Sequence, residues 1–160
     1  MKLDKIISVA QASEITNKIQ KSNQKVVFTN GCFDLIHPGH VDYLRKAKAC
    51  GDILIIGLNS DSSIKRLKGK ERPINDFYFR STILAALEFV DYIVKFEDDT
   101  PLFLIKQILP DVLIKGSDYT VDKIVGAKEV LENGGEVKTI EFLEGFSSSL
   151  IINKIKNLNS

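Results

Sequence analysis

Side chains that bind metals are scarce in this chain, whose 160 residues include two histidines and two cysteines. Cys32 and Cys50 form neither a C-x-x-C pair nor a disulfide framework, which excludes a stapled secreted scaffold and suits a reducing compartment. A zinc site on His37 and His40 would need further ligands that only carboxylates such as Asp34 could supply, so no metal site is expected. An excess of charge is lacking too. With 22 Lys plus Arg against 21 Asp plus Glu, the net charge of +1 gives no general attraction to nucleic acid or to an anionic membrane. No apolar run approaches the ~20 residues of a membrane span. The opening "MKLDKIISVAQASE" is interrupted by Asp4 and Lys5, and "IISVA" is too short for a signal-peptide core. The expectation is a cytoplasmic protein with no nucleic-acid and no membrane partner. Internal repeats, low-complexity tracts and interdomain linkers are also missing, so residues 1–160 are expected to form a single domain.

Five apolar stretches are present and read as short buried strands: "KVVFTN" (25–30), "ILIIGLN" (53–59), "YIVKF" (92–96), "DVLIKG" (111–116) and "EVKTIEF" (136–142). Continuous Val- and Ile-rich runs point to strands covered on both faces. Helical patterns separate them. In "HVDYLRKAKAC", Val41, Leu44 and Ala47 share a face that Tyr43 and Cys50 overlap, and Gly51 suits the stop. Further helices are predicted near 8–21, 79–89, 100–108, 122–132 and 148–158, with Pro101 at a first helical position after Thr100. Alternating strands and helices imply right-handed crossovers and an α/β fold: a Rossmann-like, doubly wound, mainly parallel five-stranded sheet with helices on both faces. Such sheets bind ligands beyond the carboxyl ends of their strands. Residues 59–77, polar and basic, read as one long loop and a candidate substrate contact.

"NGCFDLIHPGH" (30–40) follows the first predicted strand and holds both histidines. Three explanations compete: a metal site, hydrogen-bonded core packing, or a phosphate cradle. Pro38 suits a first helical turn, placing His37 just before the helix and His40 within the turn. Backbone N–H groups and the helix dipole favour an anion there, and Gly39 allows close approach. Other phosphate motifs are absent: no G-x-G-x-x-G follows a predicted strand, and "LKGKERP" has neither the spacing nor the Ser/Thr of a P-loop.

"FTNGCFDLIHPGH" resembles the signature of the nucleotidyltransferase superfamily of cytidylyltransferase type: a glycine, Phe-Asp, then His-x-Gly-His. With "LNSDSSIKRLKGKERPIN", "DVLIKGSDYTVDKIVGAKEV" and "EGFSSS", the likeness extends from about residue 5 to 156 and is similar to the heptose 1-phosphate adenylyltransferase branch. That resemblance implies ATP and D-glycero-β-D-manno-heptose 1-phosphate as substrates, Mg²⁺ with the ATP, ADP-heptose and pyrophosphate as products, and a step towards lipopolysaccharide. It implies in-line attack on the α-phosphorus without a covalent enzyme intermediate. It also implies a homo-oligomer, dimer or larger. Because the branch is often fused behind a sugar kinase for which this sequence has no room, a separate sugar kinase is expected.

By position in the motifs, the resemblance gives His37, His40 and Lys68 catalytic roles. Asn30, Gly31, Cys32, Phe33 and Gly39 would line the nucleotide, joined by Arg80, by Gly116 and Asp118 of "KGSDY", and by Ser147, Ser148 and Ser149 of "GFSSS". Asp34, Asn59, Arg66 and Arg72 would meet the substrate. Each has a plainer reading beside it. Phe33 could be core, Asp34 a turn stabiliser, Ser147 a simple helix cap, Arg80 a surface ion pair, and any single lysine of the basic loop merely solvated. Many superfamily members carry a basic residue shortly after the serines; here Ile151 and Ile152 stand there and the first lysine is Lys154. A glycerol-3-phosphate cytidylyltransferase and a non-catalytic nucleotide-binding module remain as alternatives.

Overall fold

A computed structural model of the chain describes residues 3–117 and 120–158. Its centre is a parallel sheet of β1 (Ile6–Ile7), β2 (Val26–Gly31), β3 (Ile53–Asn59), β4 (Tyr92–Phe96), β5 (Val112–Gly116) and β6 (Glu136–Ile140). The strand order is β1-β4-β3-β2-β5-β6, and every neighbouring pair is parallel. The five predicted strands are present. The sixth, β1, is an edge pair of residues set against Ile93 and Val94, too short to show a period in the sequence.

Around the sheet run α1 (Val9–Lys21), α2 (Pro38–Lys48), α3 (Asp61–Lys68), α4 (Phe77–Ala86), α5 (Leu102–Ile108), α6 (Ala127–Glu132) and α7 (Ser148–Leu158). Side chains alternate across the strands, so each strand feeds two cores. Val27, Leu54, Ile56 and Ile114 pack with Leu44, Ala47 and Leu84 of α2 and α4. Val26, Phe28, Ile55 and Leu113 pack with Ala12, Leu104 and Val130 of α1, α5 and α6. These strand residues are fully buried, and each such aliphatic side chain contributes roughly 1.5–3 kcal/mol. The strands are therefore a rigid base for whatever their ends carry.

Two expectations are corrected. Residues 59–77 are not one loop, since α3 occupies Asp61–Lys68: Ser60 caps it by accepting a hydrogen bond from the Ser63 N–H, and Ile64 and Ser63 are its buried face. One apolar anchor in eight residues gave the sequence pattern little amphipathic signal. Helix α5 begins one residue later than predicted, with Pro101 at the cap position.

The carboxylates of Asp111 and Asp91 accept hydrogen bonds from the N–H groups of Val26 and Leu54, fixing the amino ends of β2 and β3. At the opposite edge the chain leaves β2 towards α2 on one side, while β5 flanks β2 on the other. This reversal of winding direction opens a crevice above the carboxyl ends of β2 and β5.

Candidate active site

The crevice is a cleft of about 470 Å³, whose floor is the end of β2. Asn30, Gly31, Cys32 and Phe33 line it. Phe33 has φ of 45°, a left-handed conformation that costs an L-residue on the order of 1 kcal/mol or more. A Cβ on Gly31 would lie 2.9 Å from the Phe33 ring, so glycine is what lets the ring fold back over the strand end. Phe33 is 5% exposed and its ring centroid lies 5.2 Å from that of His40. Core packing and cleft lining, alternatives in the sequence, are both satisfied.

His37 is the N-cap residue of α2 and Pro38 its first helical residue. With no side-chain cap at this end, the positive end of the helix dipole is left for an anion. The His37 and His40 rings stack with centroids 3.8 Å apart and planes 26° apart. A Cβ on Gly39 would lie 3.1 Å from the His37 ring and 3.3 Å from Phe146 Cβ. Glycine therefore lets α7's approach and the histidine stack share one space. Neither Nδ1 atom has a partner among the described residues.

Burial pushes the pKa of His40 down to about 4, helped by the nearby His37 and Lys68 and opposed by a hydrogen bond to the Leu35 backbone. Burial also lowers that of His37. Both shifts favour the uncharged rings in the free protein. His40 lines the cleft; His37 backs it and faces a shallow groove beside Val41 and Arg45.

The cationic wall comes from α3 and the segment after it. Lys68 lines the cleft and makes no ion pair among the described residues. Arg72 also lines it, with Nε 2.5 Å from Asp34 Oδ2. Asp34, expected at the substrate, lines the cleft and is also a tether. Its carboxylate also accepts from the N–H groups of Ile74 (3.0 Å) and Asn75 (2.9 Å), while Asn75 Nδ2 donates to its carbonyl. Burial alone would raise its pKa, but these hydrogen bonds and Arg72 outweigh that and hold the carboxyl below its ordinary value. The turn-stabilising alternative is the one the geometry favours, and the turn it stabilises carries Arg72.

Arg80 and Arg66 lie elsewhere than expected. Arg80 is fully buried beneath the cleft. It donates to the carbonyls of Asn75 (3.0 Å), Cys32 (2.7 Å) and Asn59 (2.9 Å), and pairs with Asp61 at 2.6 Å. It ties the ends of β2 and β3 to the start of α3, and its guanidinium does not line the cleft. Arg66 points to the outer side of α3, where Nε donates to Asp99 at 2.7 Å and Nη2 to the Glu97 carbonyl. Asn59 does line the cleft, 4% exposed, at the end of β3.

The far wall is the end of β5 and the start of α7. Gly116 lines the cleft beside Lys115, and Asp118 lies outside the described residues. Ser147 Oγ accepts from the Leu150 N–H at 3.1 Å, the cap predicted for α7. Ser148 lines the cleft and donates to the Leu35 carbonyl at 3.2 Å, docking α7 on the histidine segment. Ser149 is exposed and not among the lining residues. The sequence reading missed Asp99 and Thr100, which line the cleft from a loop with no motif of its own, Lys123, which lines it from a turn of 3-10 helix (Val121–Lys123), and Tyr43, whose hydroxyl lies 2.8 Å from that of Thr29.

Residues 28–154 match the family model described as cytidylyltransferase-like. Among curated proteins, the bifunctional protein HldE of Wolinella succinogenes is 52% identical over 153 residues, covering 96% of this chain and 31% of that protein. The HldE of Histophilus somni is 50% identical, covering 96% and 32%. The chain thus spans about a third of the length of these relatives. The crystal structure of the lipopolysaccharide core biosynthesis protein from Thermoplasma volcanium is similar with a TM-score of 0.59 and 28% identity, over 75% of this chain and 97% of that one. A pantoate-beta-alanine ligase from Francisella tularensis shares the fold with a TM-score of 0.61 and 19% identity, over 97% of this chain and 79% of that one.

Proposed function

Taking as premise that this chain belongs to the cytidylyltransferase-like family, we propose that it is an adenylyltransferase that joins ATP to D-glycero-β-D-manno-heptose 1-phosphate. The products are ADP-heptose and pyrophosphate. The observation that carries the reading is the stacked histidine pair at the N-terminus of α2, at the sheet's switch point, with His40 lining a cleft that also holds Lys68, a lysine with no ion pair among the described residues. The motif resemblance to the heptose 1-phosphate adenylyltransferase branch supports the choice of acceptor and of ATP, and the likeness to a lipopolysaccharide core biosynthesis protein agrees with it.

An oxygen of the sugar phosphate attacks the α-phosphorus in line. The bond from that phosphorus to the α,β-bridging oxygen breaks, and pyrophosphate leaves with its electron pair. No side chain forms a bond, so the protein contributes position and charge. His40, neutral before binding and drawn towards its charged form by the incoming phosphates, donates an N–H to a phosphoryl oxygen, and His37 supports it through the ring stack. Lys68 and Arg72 offset the charge that builds on the pyrophosphate, as does the first turn of α7 capped by Ser147. Asn30, Gly31, Cys32 and Gly116 line the path of the nucleoside. Mg²⁺, if it accompanies ATP, would supply further neutralisation of the phosphate charge. Asp34, in the cleft lining, holds Arg72 in place through its carboxylate and would be the side chain available to help hold the ion.

The test is pyrophosphate release by the purified protein with Mg-ATP and heptose 1-phosphate, beside Mg-CTP and glycerol 3-phosphate. Turnover of the first pair with formation of ADP-heptose is expected. Turnover of the second pair alone would overturn the assignment.

A further inference from the structure

The cleft has two chemically different sides. Around α2 and α3 its polar groups are mainly donors, His40, Lys68, Arg72 and the serine that opens α7, and the carboxylate among them, Asp34, already accepts from Arg72, Ile74 and Asn75 through both oxygens. At the carboxyl ends of β3 and β4 they are acceptors. Asn59 Nδ2 is committed to Ser63 Oγ at 3.0 Å, and that hydroxyl donates to the Asp98 carbonyl at 3.0 Å. The chain of bonds fixes which way the amide faces, leaving Oδ1 opposite only the Cys32 thiol at 3.9 Å. Asp99 is held by one oxygen. Arg66 Nε donates to its Oδ1 at 2.7 Å, while Oδ2 has no hydrogen bond among the described residues. Arg66 is itself fixed by the Glu97 carbonyl, so the carboxylate is oriented at the cleft wall although its side chain is 63% exposed.

A phosphate oxygen is repelled by a carboxylate and finds no donor in an amide oxygen held this way. A sugar hydroxyl is a donor and suits both. The geometry points to a polyol subsite at the ends of β3 and β4, where Asn59 Oδ1 and Asp99 Oδ2 accept hydrogen bonds from the acceptor's hydroxyls. Arg66 is its positioning residue, acting through Asp99 without touching the sugar. The subsite rests on the adenylyl-transfer reading and adds to it the residues that distinguish a polyhydroxylated sugar phosphate from a simpler one. It also explains why the loop 97–101, with no phosphate-binding pattern, forms part of the wall.

The experiment is steady-state kinetics of Asp99→Ala, Arg66→Gln and Arg66→Lys beside the wild type, with Mg-ATP and heptose 1-phosphate varied separately. Loss of a charge-assisted hydrogen bond predicts a rise of about tenfold or more in the KM for the sugar phosphate in Asp99→Ala. The KM for ATP should stay within about twofold. Arg66→Gln should show a smaller rise of the same kind, and Arg66→Lys should recover part of it; a merely structural role would not move the sugar KM alone. Thermal melts of all three should match the wild type, because both side chains are exposed. Wild-type turnover with an unchanged sugar KM in Asp99→Ala would overturn the subsite alone. An equal rise in the ATP KM, or a raised Mg²⁺ requirement, would also overturn it by assigning Asp99 to the metal-nucleotide. No wild-type turnover of this substrate pair would overturn the adenylyl-transfer reading, and the subsite with it.

Discussion

Lowering the pH from 7 to 5 should destabilise the protein through His40 in particular. Its pKa is pushed from an ordinary 6.5 down to about 4 by burial, then by His37 and Lys68. The folded value lies below the unfolded one, so as pH falls the unfolded chain takes up this proton first. Stability is lost between about pH 6.5 and pH 4. At pH 7 the two states differ little in protonation of this ring. At pH 5 the unfolded ring is almost fully charged while the folded one is almost fully neutral, which corresponds to a loss of at most about 2 kcal/mol, since partial exposure screens the effect. Urea titrations of wild type and His40→Asn at both pH values isolate the contribution, because the carboxylates are common to both. The wild type should lose up to about 2 kcal/mol more than the variant between pH 7 and pH 5. Histidine NMR should place one titration near pH 4 in the free protein and move it upward with Mg-ATP, whose phosphates favour the imidazolium. Equal pH dependence in wild type and variant, or a free-protein titration near 6.5, would refute the argument.

Arg80→Lys should lower stability by about 3–5 kcal/mol in urea, because an ammonium cannot replace four directed bonds and leaves Asp61 poorly paired; wild-type stability would mean the buried guanidinium does not hold the strand ends. Gly39→Ala should separate fold from function. Alanine favours a helix by up to about 1 kcal/mol, yet its Cβ would press on the His37 ring, so a maintained melting temperature with a fall of about tenfold or more in kcat is expected. Unchanged kcat would show that the stack is not required.

The centre of the sheet was legible because its inner strands are buried on both faces and read as continuous apolar runs, Val26–Gly31 and Ile53–Asn59 most clearly, whereas the edge strand β6 is largely exposed. The histidine segment was legible because strand end, Pro38 and Gly39 fix its local geometry within eleven residues. What escaped the sequence depends on contacts between distant segments. Helix α3 shows one buried aliphatic, Ile64, so its period is hidden among charges. Arg80 looks like any arginine at the start of a helix, and only the packed structure shows it buried 48 residues from the carbonyl of Cys32. Asp34 looks like a candidate ligand, and only the structure shows that it also tethers Arg72, Ile74 and Asn75 at the cleft. Asp99 belongs to no motif, and its orientation comes from Arg66 across 33 residues.

The central claim is that the His37 and His40 cradle stabilises charge developing on the triphosphate. Single-turnover pyrophosphate release from Mg-ATP and heptose 1-phosphate tests it most directly, comparing wild type with His37→Ala and His40→Ala at pH 7.5. Loss of a preorganised donor should slow the chemical step by about 10² to 10³ in His40→Ala, with a smaller loss in His37→Ala, while both variants keep the fold. A rate within twofold of wild type in His40→Ala would contradict the claim.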